Sequence, residues 1–233
     1  MTEKVVGIIG GMGPEATIDL MRRVIALTPA EGDADHIHML VDNNPKVPSR
    51  IQALIEKTGP SPAPFIADMA RGLVAQGADF LAMPCNTAHH YYAEIAAAVS
   101  APVLNLMQLT AAHIAVTQAG TRRLGLLASS ALLQIHLYEP WFDDVGIELV
   151  YPDVARQSAL MNLIRAVKAG KQQLNIAAFN EAAGMLADRG ADSLLIACTE
   201  LSVIAEHLRS PLVIEDAAQI LAKSIVAKAL SDQ

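Results

Sequence analysis

The chain has 233 residues, of which 52% are apolar and 4% aromatic, and its formal net charge is -7. This length and composition fit one large or two small α/β domains and exclude a disordered or fibrous chain. The acidic balance disfavours a nucleic-acid partner, which would need a basic face, but a few placed cations could still hold an anionic small substrate.

Short apolar runs alternate with helical patterns along the chain. The first run, Val5–Ile9, ends in glycines, and Pro14 then marks the start of a helix that ends near Thr28. A further helical pattern covers 216–230. The other predicted strands are Ile37–Val41, Phe80–Met83, Val103–Leu106, Leu124–Ala128, Ile147–Val150, Ser193–Ala197 and Leu212–Ile214. Such alternation predicts parallel sheets covered by helices.

The N-terminus MTEKVV has no basic region of the kind that begins a signal peptide. The sequence also has no run of about 18 apolar residues that could span a bilayer. Its two cysteines, Cys85 and Cys198, form neither a disulfide framework nor a CxxC zinc or redox pair. We therefore expect a soluble cytoplasmic protein with free thiols and no membrane partner.

The second half of the chain repeats the first. Residues 77–85 (GADFLAMPC) align without a gap to residues 190–198 (GADSLLIAC). Flanking segments agree in the same order, because APVL at 101–104 resembles SPLV at 210–213. The strands VGII and LGLL, which precede these motifs, also correspond. The chain therefore predicts two similar three-layer α/β domains related by a pseudo-twofold axis, with matching loops facing a cleft between them.

Both cysteines follow a predicted strand, at the end where open parallel sheets bind ligands. Cys85 is followed by Asn86 and Cys198 by Thr199, each before a helical pattern, so helix N-termini should favour thiolates. A single cysteine there would more often be a small buried hydrophobe. Two in equivalent positions of a repeat instead indicate a functional pair. Inversion of a stereocentre needs a base on one face and an acid on the other, which a thiolate and a thiol can supply.

The glycine-rich segment after the first strand allows two interpretations. GMGPEA at 11–16 fits the G-x-G-x-x-A fingerprint of dinucleotide-binding loops. The acidic residue expected about 20 positions later is not clear, because Asp33 and Asp35 precede the next strand and Asp42 lies too far along. The loop, which includes Met12, also fits a carboxylate held by backbone N–H groups at a helix N-terminus. We favour this anion loop.

The histidines give a weaker signal. His36 and His38, like His89 and His90, lack the spacing of a metal site such as HExxH. We interpret them as surface or packing residues, and we expect no metal ion.

Four motifs together resemble those of the aspartate/glutamate racemase family, and most closely its aspartate racemase branch. They are GIIGGMGPEAT at 7–17, DNNPKVPSR at 42–50, MPCNTAHH at 83–90 and ACTE at 197–200. The resemblance implies a homodimer that racemises an acidic amino acid without pyridoxal phosphate, metal or another cofactor. It also implies that the C-terminal helix returns to the first domain. That domain would comprise residues 1–104 and 216–233, and residues 105–215 would form the second.

Carried over by motif, Cys85 and Cys198 are the two catalytic thiols. The candidate substrate-binding residues are Met12, Arg50, Asn86, Thr87, Ser129, Ser130, Lys168, Thr199 and Glu200. Arg50 and Lys168 match the cations of the aspartate-type branch. They could receive a second carboxylate or lower the pKa of a nearby thiol. The residues alone leave open that Arg50 is a solvated cation and Lys168 a lysine that ends a helix before Gly170.

The sequence thus predicts a cofactor-independent amino-acid racemase that acts on aspartate, with glutamate as the alternative substrate. Two other functions stay open. One is a related cleft enzyme of the hydantoin racemase or maleate isomerase type, in which the thiols act on a different carbon. The other is a non-catalytic protein that binds amino acids. The paired thiols disfavour the binding protein, because binding alone needs no matched acid and base.

Overall fold

Two separate parallel sheets form the framework in the computed structural model, which describes residues 4–231. The strands of the first sheet are β1 (Val6–Gly10), β2 (Met39–Asn43) and β3 (Phe80–Ala82). Those of the second are β4 (Arg123–Ala128), β5 (Glu148–Val150), β6 (Ser193–Ala197) and β7 (Val213–Asp216). The strand orders are β2-β1-β3 and β5-β4-β6-β7, with every pair parallel. The predicted fold class of two parallel-sheet α/β domains is therefore confirmed.

Helices connect and cover these strands. Within the described residues the α-helices are α1 (Pro14–Leu27), α2 (Ala63–Ala75), α3 (Tyr92–Ala97), α4 (Leu106–Thr117), α5 (Ser130–Gln134), α6 (Glu139–Asp143), α7 (Val154–Lys168), α8 (Ile176–Asp188), α9 (Thr199–Ser202) and α10 (Ala217–Ala229). A π-helical segment covers Gln52–Glu56, and 3₁₀ turns cover Asp33–Asp35, Thr87–Tyr91 and Ala205–His207. The predicted helix start at Pro14 and the predicted C-terminal helix are both confirmed. No helix in this part of the chain is long and apolar enough to cross a membrane.

The repeated Gly-Ala-Asp segment has a structural role in both halves. Gly77 and Gly190 each follow a helix at positive φ, 103° and 83°, where a residue without a side chain is favoured. The Asp79 carboxylate then accepts a hydrogen bond from the backbone N–H of Val5 at 2.7 Å. Asp192 accepts equivalent bonds at the start of β4. Through the aspartate, the motif therefore connects each helix–strand turn by hydrogen bonds to the start of the central strand of its sheet.

A glycine in each central strand allows a leucine of the neighbouring strand to approach closely. A Cβ atom added at Gly125 of β4 would lie 2.7 Å from Leu194 Cδ2 and 3.1 Å from Leu186 Cβ. A Cβ atom at Gly7 of β1 would lie 2.5 Å from Leu81 Cδ2. Leu81 and Leu194 occupy the same position of the repeat, so the two halves share their packing as well as their strand order.

The predicted strand at Val103–Leu106 is wrong beyond its first residues. Only an isolated parallel bridge joins Val103 to Leu81, and Leu106 already begins α4. The Asn105 side chain accepts hydrogen bonds from the backbone N–H groups of Met107 and Gln108, so it caps that helix and stops the strand. The equivalent segment of the second half continues as β7, so the two sheets differ in size.

Helix α10 packs across the two halves. It follows β7 of the second sheet and packs against α1, which follows β1 of the first, and against α4. Its apolar face belongs to a hydrophobic core that also contains Ile8 of β1 and Leu126 of β4. This shared core fixes the two sheets relative to each other, and with them the loops at their carboxyl ends.

The close approach at Gly125 gives a stability prediction. We expect Gly125→Ala to lower the free energy of unfolding by about 1–3 kcal/mol, because the added methyl group overpacks the contact with Leu194. The matched control is Gly184→Ala in α8, where an added Cβ meets no atom within 4 Å. This change should raise the stability by about 0.5–1 kcal/mol through helix propensity. Urea unfolding measures both, and equal stability of the two variants would contradict the packing explanation.

Candidate active site

One cavity of about 150 Å³ receives residues from both halves of the chain. Its walls come from the segments that follow β2, β3, β4 and β6 and from one face of α7. The lining residues are Ser49, Arg50, Ile51, Cys85, Asn86, Thr87, Ser129, Met161, Ile164, Arg165, Lys168, Ala197, Cys198, Thr199 and Glu200. Strand ends of both sheets therefore meet at one site, as expected for parallel sheets.

Most of the residues proposed from the sequence meet in this cavity. Both cysteines line it, together with seven of the nine candidate substrate-binding residues. Met12 and Ser130 are not part of the lining. Met12 is buried, and its carbonyl oxygen accepts a hydrogen bond from Arg50 Nη2 at 2.9 Å. The Ser130 hydroxyl faces a neighbouring groove and accepts a bond from Gln157 at 3.1 Å.

Cys85 lies just beyond β3 and is 7% exposed. Its carbonyl oxygen lies 2.9 Å from Nδ1 of His89, so this nitrogen carries a hydrogen and donates it. Burial lowers the pKa of His89, although the hydrogen bonds to the backbone oppose this shift, and the ring is neutral. The sequence suggested only a surface or packing role for His89, whereas the structure shows that it orients the Cys85 turn.

Asn86 is held by a tyrosine from the other half of the chain. The hydroxyl of Tyr138 donates to Asn86 Oδ1 at 2.7 Å. Burial raises the pKa of Tyr138, so the hydroxyl keeps its proton and remains a donor. Asn86 Nδ2 is buried without a hydrogen-bond partner in the described chain. With its oxygen occupied, Asn86 can offer this amide hydrogen to a ligand in the cavity.

Two hydrogen bonds join the loops of the two halves directly. Thr87 Oγ1 lies 3.2 Å from Ser129 Oγ, and the hydroxyl of Thr199 donates to the carbonyl oxygen of Pro84 at 3.0 Å. Each bond connects a loop of one sheet to a loop of the other. The cavity wall is therefore continuous across the two halves, and its hydroxyl groups have defined orientations.

Arg23 of α1 holds the turn that follows Cys198. Its guanidinium donates to the carbonyl oxygen of Ser202 at 2.8 Å and pairs with Asp216 at 2.9 Å. Asp216 also accepts a bond from the Ser202 hydroxyl at 2.6 Å. The short helix α9 is thus held by Arg23, near the start of the chain, and by Asp216, near its end. These contacts restrict the position of Cys198, which directly precedes α9.

Glu200 lies between a thiol and a cation. The Cys198 thiol donates to Glu200 Oε2 at 3.1 Å, and Lys168 Nζ lies 3.1 Å from Glu200 Oε1. Glu200 is 4% exposed, whereas the side chain of Lys168 at the end of α7 is 37% exposed. The three side chains therefore form a line from the buried thiol to the rim of the cavity.

The protonation of Cys198 differs from the expectation based on helix termini. Burial raises the pKa of the Cys198 thiol well above its usual value, and the negative charge of Glu200 adds to this rise. Lys168 opposes it only in part, and α9 has only four residues. The direction of this pKa shift contradicts the predicted thiolate at Cys198 and favours the thiol.

Lys168 remains charged beside these groups. Burial alone would lower its pKa, but the nearby acidic groups, Glu200 foremost, outweigh burial and raise it. Lys168 is also the last residue of α7, shortly before Gly170, which has positive φ. It therefore both ends a helix and lines the cavity. Its contact with Glu200 could not be read from the sequence.

The glycine-rich loop supports the site from behind. The backbone N–H of Gly11 donates to Thr17 Oγ1 at 2.9 Å, so it is already occupied within the loop. A Cβ atom at Gly13 would lie 3.3 Å from Glu200 Oε1. The backbone N–H of Gly11 is therefore not free to bind a carboxylate, as the anion-loop interpretation requires. Gly13 instead allows the loop to pack tightly against Glu200.

Two of the three cations on the cavity wall lie on α7. Arg165 lies one turn before Lys168 on this helix and lines the cavity, and sequence analysis missed it. Arg50 is half-buried, and its guanidinium donates to the carbonyl oxygens of Pro48 and Met12. These bonds fix the direction of Arg50, so it is not the freely solvated cation that the residues alone allowed.

Comparison with known proteins identifies the family. A family model described as Asp/Glu/hydantoin racemase matches residues 9–225. The broad specificity amino-acid racemase RacX of Bacillus subtilis (strain 168) is 32% identical over 232 residues, which is 98% of this chain and 99% of that protein.

Solved structures agree with this result. The aspartate racemase of Picrophilus torridus is 32% identical with a TM-score of 0.81, over 97% of this chain and 94% of that chain. The glutamate racemase of Francisella tularensis in complex with D-glutamate has a TM-score of 0.71 over 100% of this chain and 85% of that chain. At 15% identity, this second likeness shows the fold alone.

The contact between Tyr138 and Asn86 gives a prediction about the site. Tyr138→Phe leaves the buried Asn86 oxygen without its donor, which costs about 1–3 kcal/mol, so we expect kcat/KM to fall by roughly 5- to 150-fold. The control is Tyr92→Phe, which removes a hydroxyl bonded to the Val103 carbonyl outside the cavity. This variant should retain the parent kcat/KM. Steady-state kinetics decide, and similar losses in both variants would contradict a positioning role for Tyr138.

Proposed function

The chain belongs to the Asp/Glu/hydantoin racemase family and is an amino-acid racemase, and we propose that it interconverts L- and D-aspartate by a two-thiol mechanism. Glutamate is the alternative acidic substrate. The observation that carries this proposal is that Cys85 and Cys198, from equivalent positions of the two halves, line the same small cavity. We also propose that the reaction needs no pyridoxal phosphate or metal and that the protein is a homodimer, as the family resemblance implies.

The two thiols supply the acid and the base. In one direction a thiolate at Cys85 removes the α-hydrogen while the Cys198 thiol donates a proton to the opposite face of the same carbon. In the other direction the roles are exchanged. The raised pKa of Cys198 supports its assignment as the thiol of the free enzyme. Because each sulfur faces one side of the α-carbon, each handles the hydrogen of one enantiomer.

The polar wall of the cavity orients the substrate. The free amide hydrogen of Asn86 and the hydroxyls of Thr87 and Ser129 suit the α-carboxylate, which accepts hydrogen bonds. The amino group suits the hydroxyl oxygen of Thr199, which also lines the cavity and can accept a hydrogen bond. These contacts would hold the α-carbon between the two sulfurs, and correct orientation alone can supply much of the rate.

Arg50 is the cation that we assign to the distal carboxylate. Lys168 already pairs with Glu200 at 3.1 Å, whereas among the described residues the hydrogen-bond partners of Arg50 are backbone carbonyl groups. A guanidinium can bind a carboxylate through two parallel hydrogen bonds. The positive charge of Lys168 still favours an anionic substrate in the cavity.

A broader specificity is the second candidate. RacX, which matches nearly the whole chain, is named a broad specificity amino-acid racemase. The pairing of Lys168 with Glu200 also leaves less positive charge free for a second carboxylate than the sequence suggested. A panel of neutral, basic and acidic amino acids would separate this candidate from an aspartate-specific enzyme.

The direct test is α-hydrogen exchange in D2O. Without added cofactor, we expect L-aspartate to gain deuterium at the α-carbon and to lose optical rotation, because the base and the acid exchange protons with solvent. Nuclear magnetic resonance and polarimetry measure the two changes. Unchanged rotation and no exchange for any amino acid would leave a binding protein or a sister enzyme of the hydantoin racemase or maleate isomerase type.

Single cysteine variants test the two-thiol mechanism. Cys85→Ala and Cys198→Ala should each abolish racemisation, because inversion needs both groups. Elimination from an aspartate with a leaving group on the β-carbon needs only proton removal, so each variant should retain elimination from one enantiomer. The two variants should prefer opposite enantiomers. Retention of the same enantiomer by both would show that one residue acts as a single base.

Arg50→Ala tests the assignment of the distal carboxylate. We expect kcat/KM for aspartate to fall by roughly 10- to 150-fold, the value of a charged hydrogen bond of about 1.5–3 kcal/mol. The loss for alanine should be smaller, because alanine has no second carboxylate. Steady-state kcat/KM values of the parent and the variant, measured with aspartate and with alanine, give this difference. Equal losses would mean that Arg50 acts on the thiols or on the loop of Met12 instead.

A further inference from the structure

The two halves of the chain differ in the residues that directly follow the cysteine of the repeat. Cys85 is followed by Asn86 and Thr87, whereas Cys198 is followed by Thr199 and Glu200. The second half thus has a carboxylate where the first has a hydroxyl. The proposed function contains no step for this carboxylate, although it contacts one of the two thiols.

A two-thiol racemase must also restore its protons after each turnover. When Cys198 donates its proton and Cys85 accepts one, the product leaves an enzyme with a Cys85 thiol and a Cys198 thiolate. That form can only run the reverse reaction. Before the next turnover in the same direction, Cys198 must regain a proton from solvent and Cys85 must release one. The following inference rests on the proposed function, because only a two-thiol mechanism creates this need.

Both thiols are nearly buried, because Cys198 is 6% exposed and Cys85 is 7% exposed. They differ in their neighbours, since the Cys198 sulfur lies 3.1 Å from Glu200 Oε2. The other oxygen of Glu200 lies 3.1 Å from the ammonium of Lys168, whose side chain reaches the rim of the cavity. A carboxylate with one oxygen toward a thiol and the other toward a partly exposed ammonium connects a buried acid to solvent.

We propose that Glu200 is a proton relay that returns a proton to Cys198 between turnovers, with Lys168 as the entry point from solvent. The ammonium of Lys168 passes a proton to the Glu200 carboxylate, which passes a proton to the Cys198 thiolate. One S–H bond forms, and the N–H bond that breaks at Lys168 is remade with a proton from water. No electrons are transferred, and Cys85 releases its own proton to solvent through the cavity.

The local charges favour this direction of transfer. A Cys198 thiolate would lie beside the negative charge of Glu200 in a buried site, and both effects raise the pKa of Cys198. Return of the proton is therefore downhill. A Cβ atom added at Gly13 would lie 3.3 Å from Glu200 Oε1, so the glycine-rich loop packs closely against this carboxylate. Lys168, 3.1 Å from the same oxygen, is the partly exposed group that connects this carboxylate to solvent.

Loss of the relay predicts a specific kinetic pattern. At low substrate concentration the free enzyme has time to restore its protons, so kcat/KM does not depend on the relay. At saturation the return step limits turnover. In Glu200→Gln we expect kcat and KM to fall together by at least roughly tenfold, while kcat/KM stays within roughly threefold of the parent. Added formate, a small diffusible carboxylate that can replace the lost side-chain group, should restore kcat without changing kcat/KM.

The control and the second variant make the outcome interpretable. Glu215→Gln removes another partly buried carboxylate, paired with His113 outside the cavity, and should leave kcat and KM unchanged. Glu200→Asp keeps a carboxylate with a shorter reach and should show the same pattern more weakly. It serves as the test if Glu200→Gln does not fold, as judged by circular dichroism.

Two contrary results have different meanings. If the parent enzyme racemises its best amino acid but loss of Glu200 lowers kcat and kcat/KM equally, with KM unchanged and no rescue by formate, the relay is wrong and the proposed function stands. If the parent protein racemises no amino acid, both the proposed function and the relay are overturned.

Discussion

The direction of the strands determines where chemistry can occur in this protein. All neighbouring strands within each sheet run parallel, so their carboxyl ends lie at one edge and their loops meet there. The shared core around α10 holds those two edges toward each other. A residue placed directly after β3 therefore meets a residue placed directly after β6, although 113 positions separate Cys85 from Cys198. The cavity follows from sheet geometry before any individual contact is considered.

The duplication supplies a symmetric framework, and the chemistry depends on where the symmetry fails. Gly7 and Gly125 pack against equivalent leucines, and the Gly-Ala-Asp turns make equivalent hydrogen bonds. Around the thiols the halves differ. Cys85 has a neutral histidine on its carbonyl group, whereas Cys198 has a carboxylate on its sulfur. The proposed two-thiol mechanism needs two sulfurs with opposite protonation, and the carboxylate beside Cys198 favours the thiol form there.

Local patterns made the fold and much of the site predictable from the sequence. The repeat of strand, glycine turn and cysteine is short-range information, and the cavity indeed contains both thiols. Contacts between distant segments were not predictable. Tyr138 reaches Asn86 from 52 positions away, and no pattern links them. The strand expected at Val103–Leu106 failed because the cap formed by Asn105 outweighs an apolar run.

The pair formed by buried Glu200 and partly exposed Lys168 is better explained by reaction chemistry than by stability. Removal of a charge from water costs several kcal/mol, and an apolar pair of similar volume would often hold the fold equally well. Lys168 is also partly exposed, so solvent screens its attraction to Glu200. The carboxylate further raises the pKa of the adjacent thiol, which only matters if that thiol must hold and release a proton. Glu200 is therefore placed where it controls a proton.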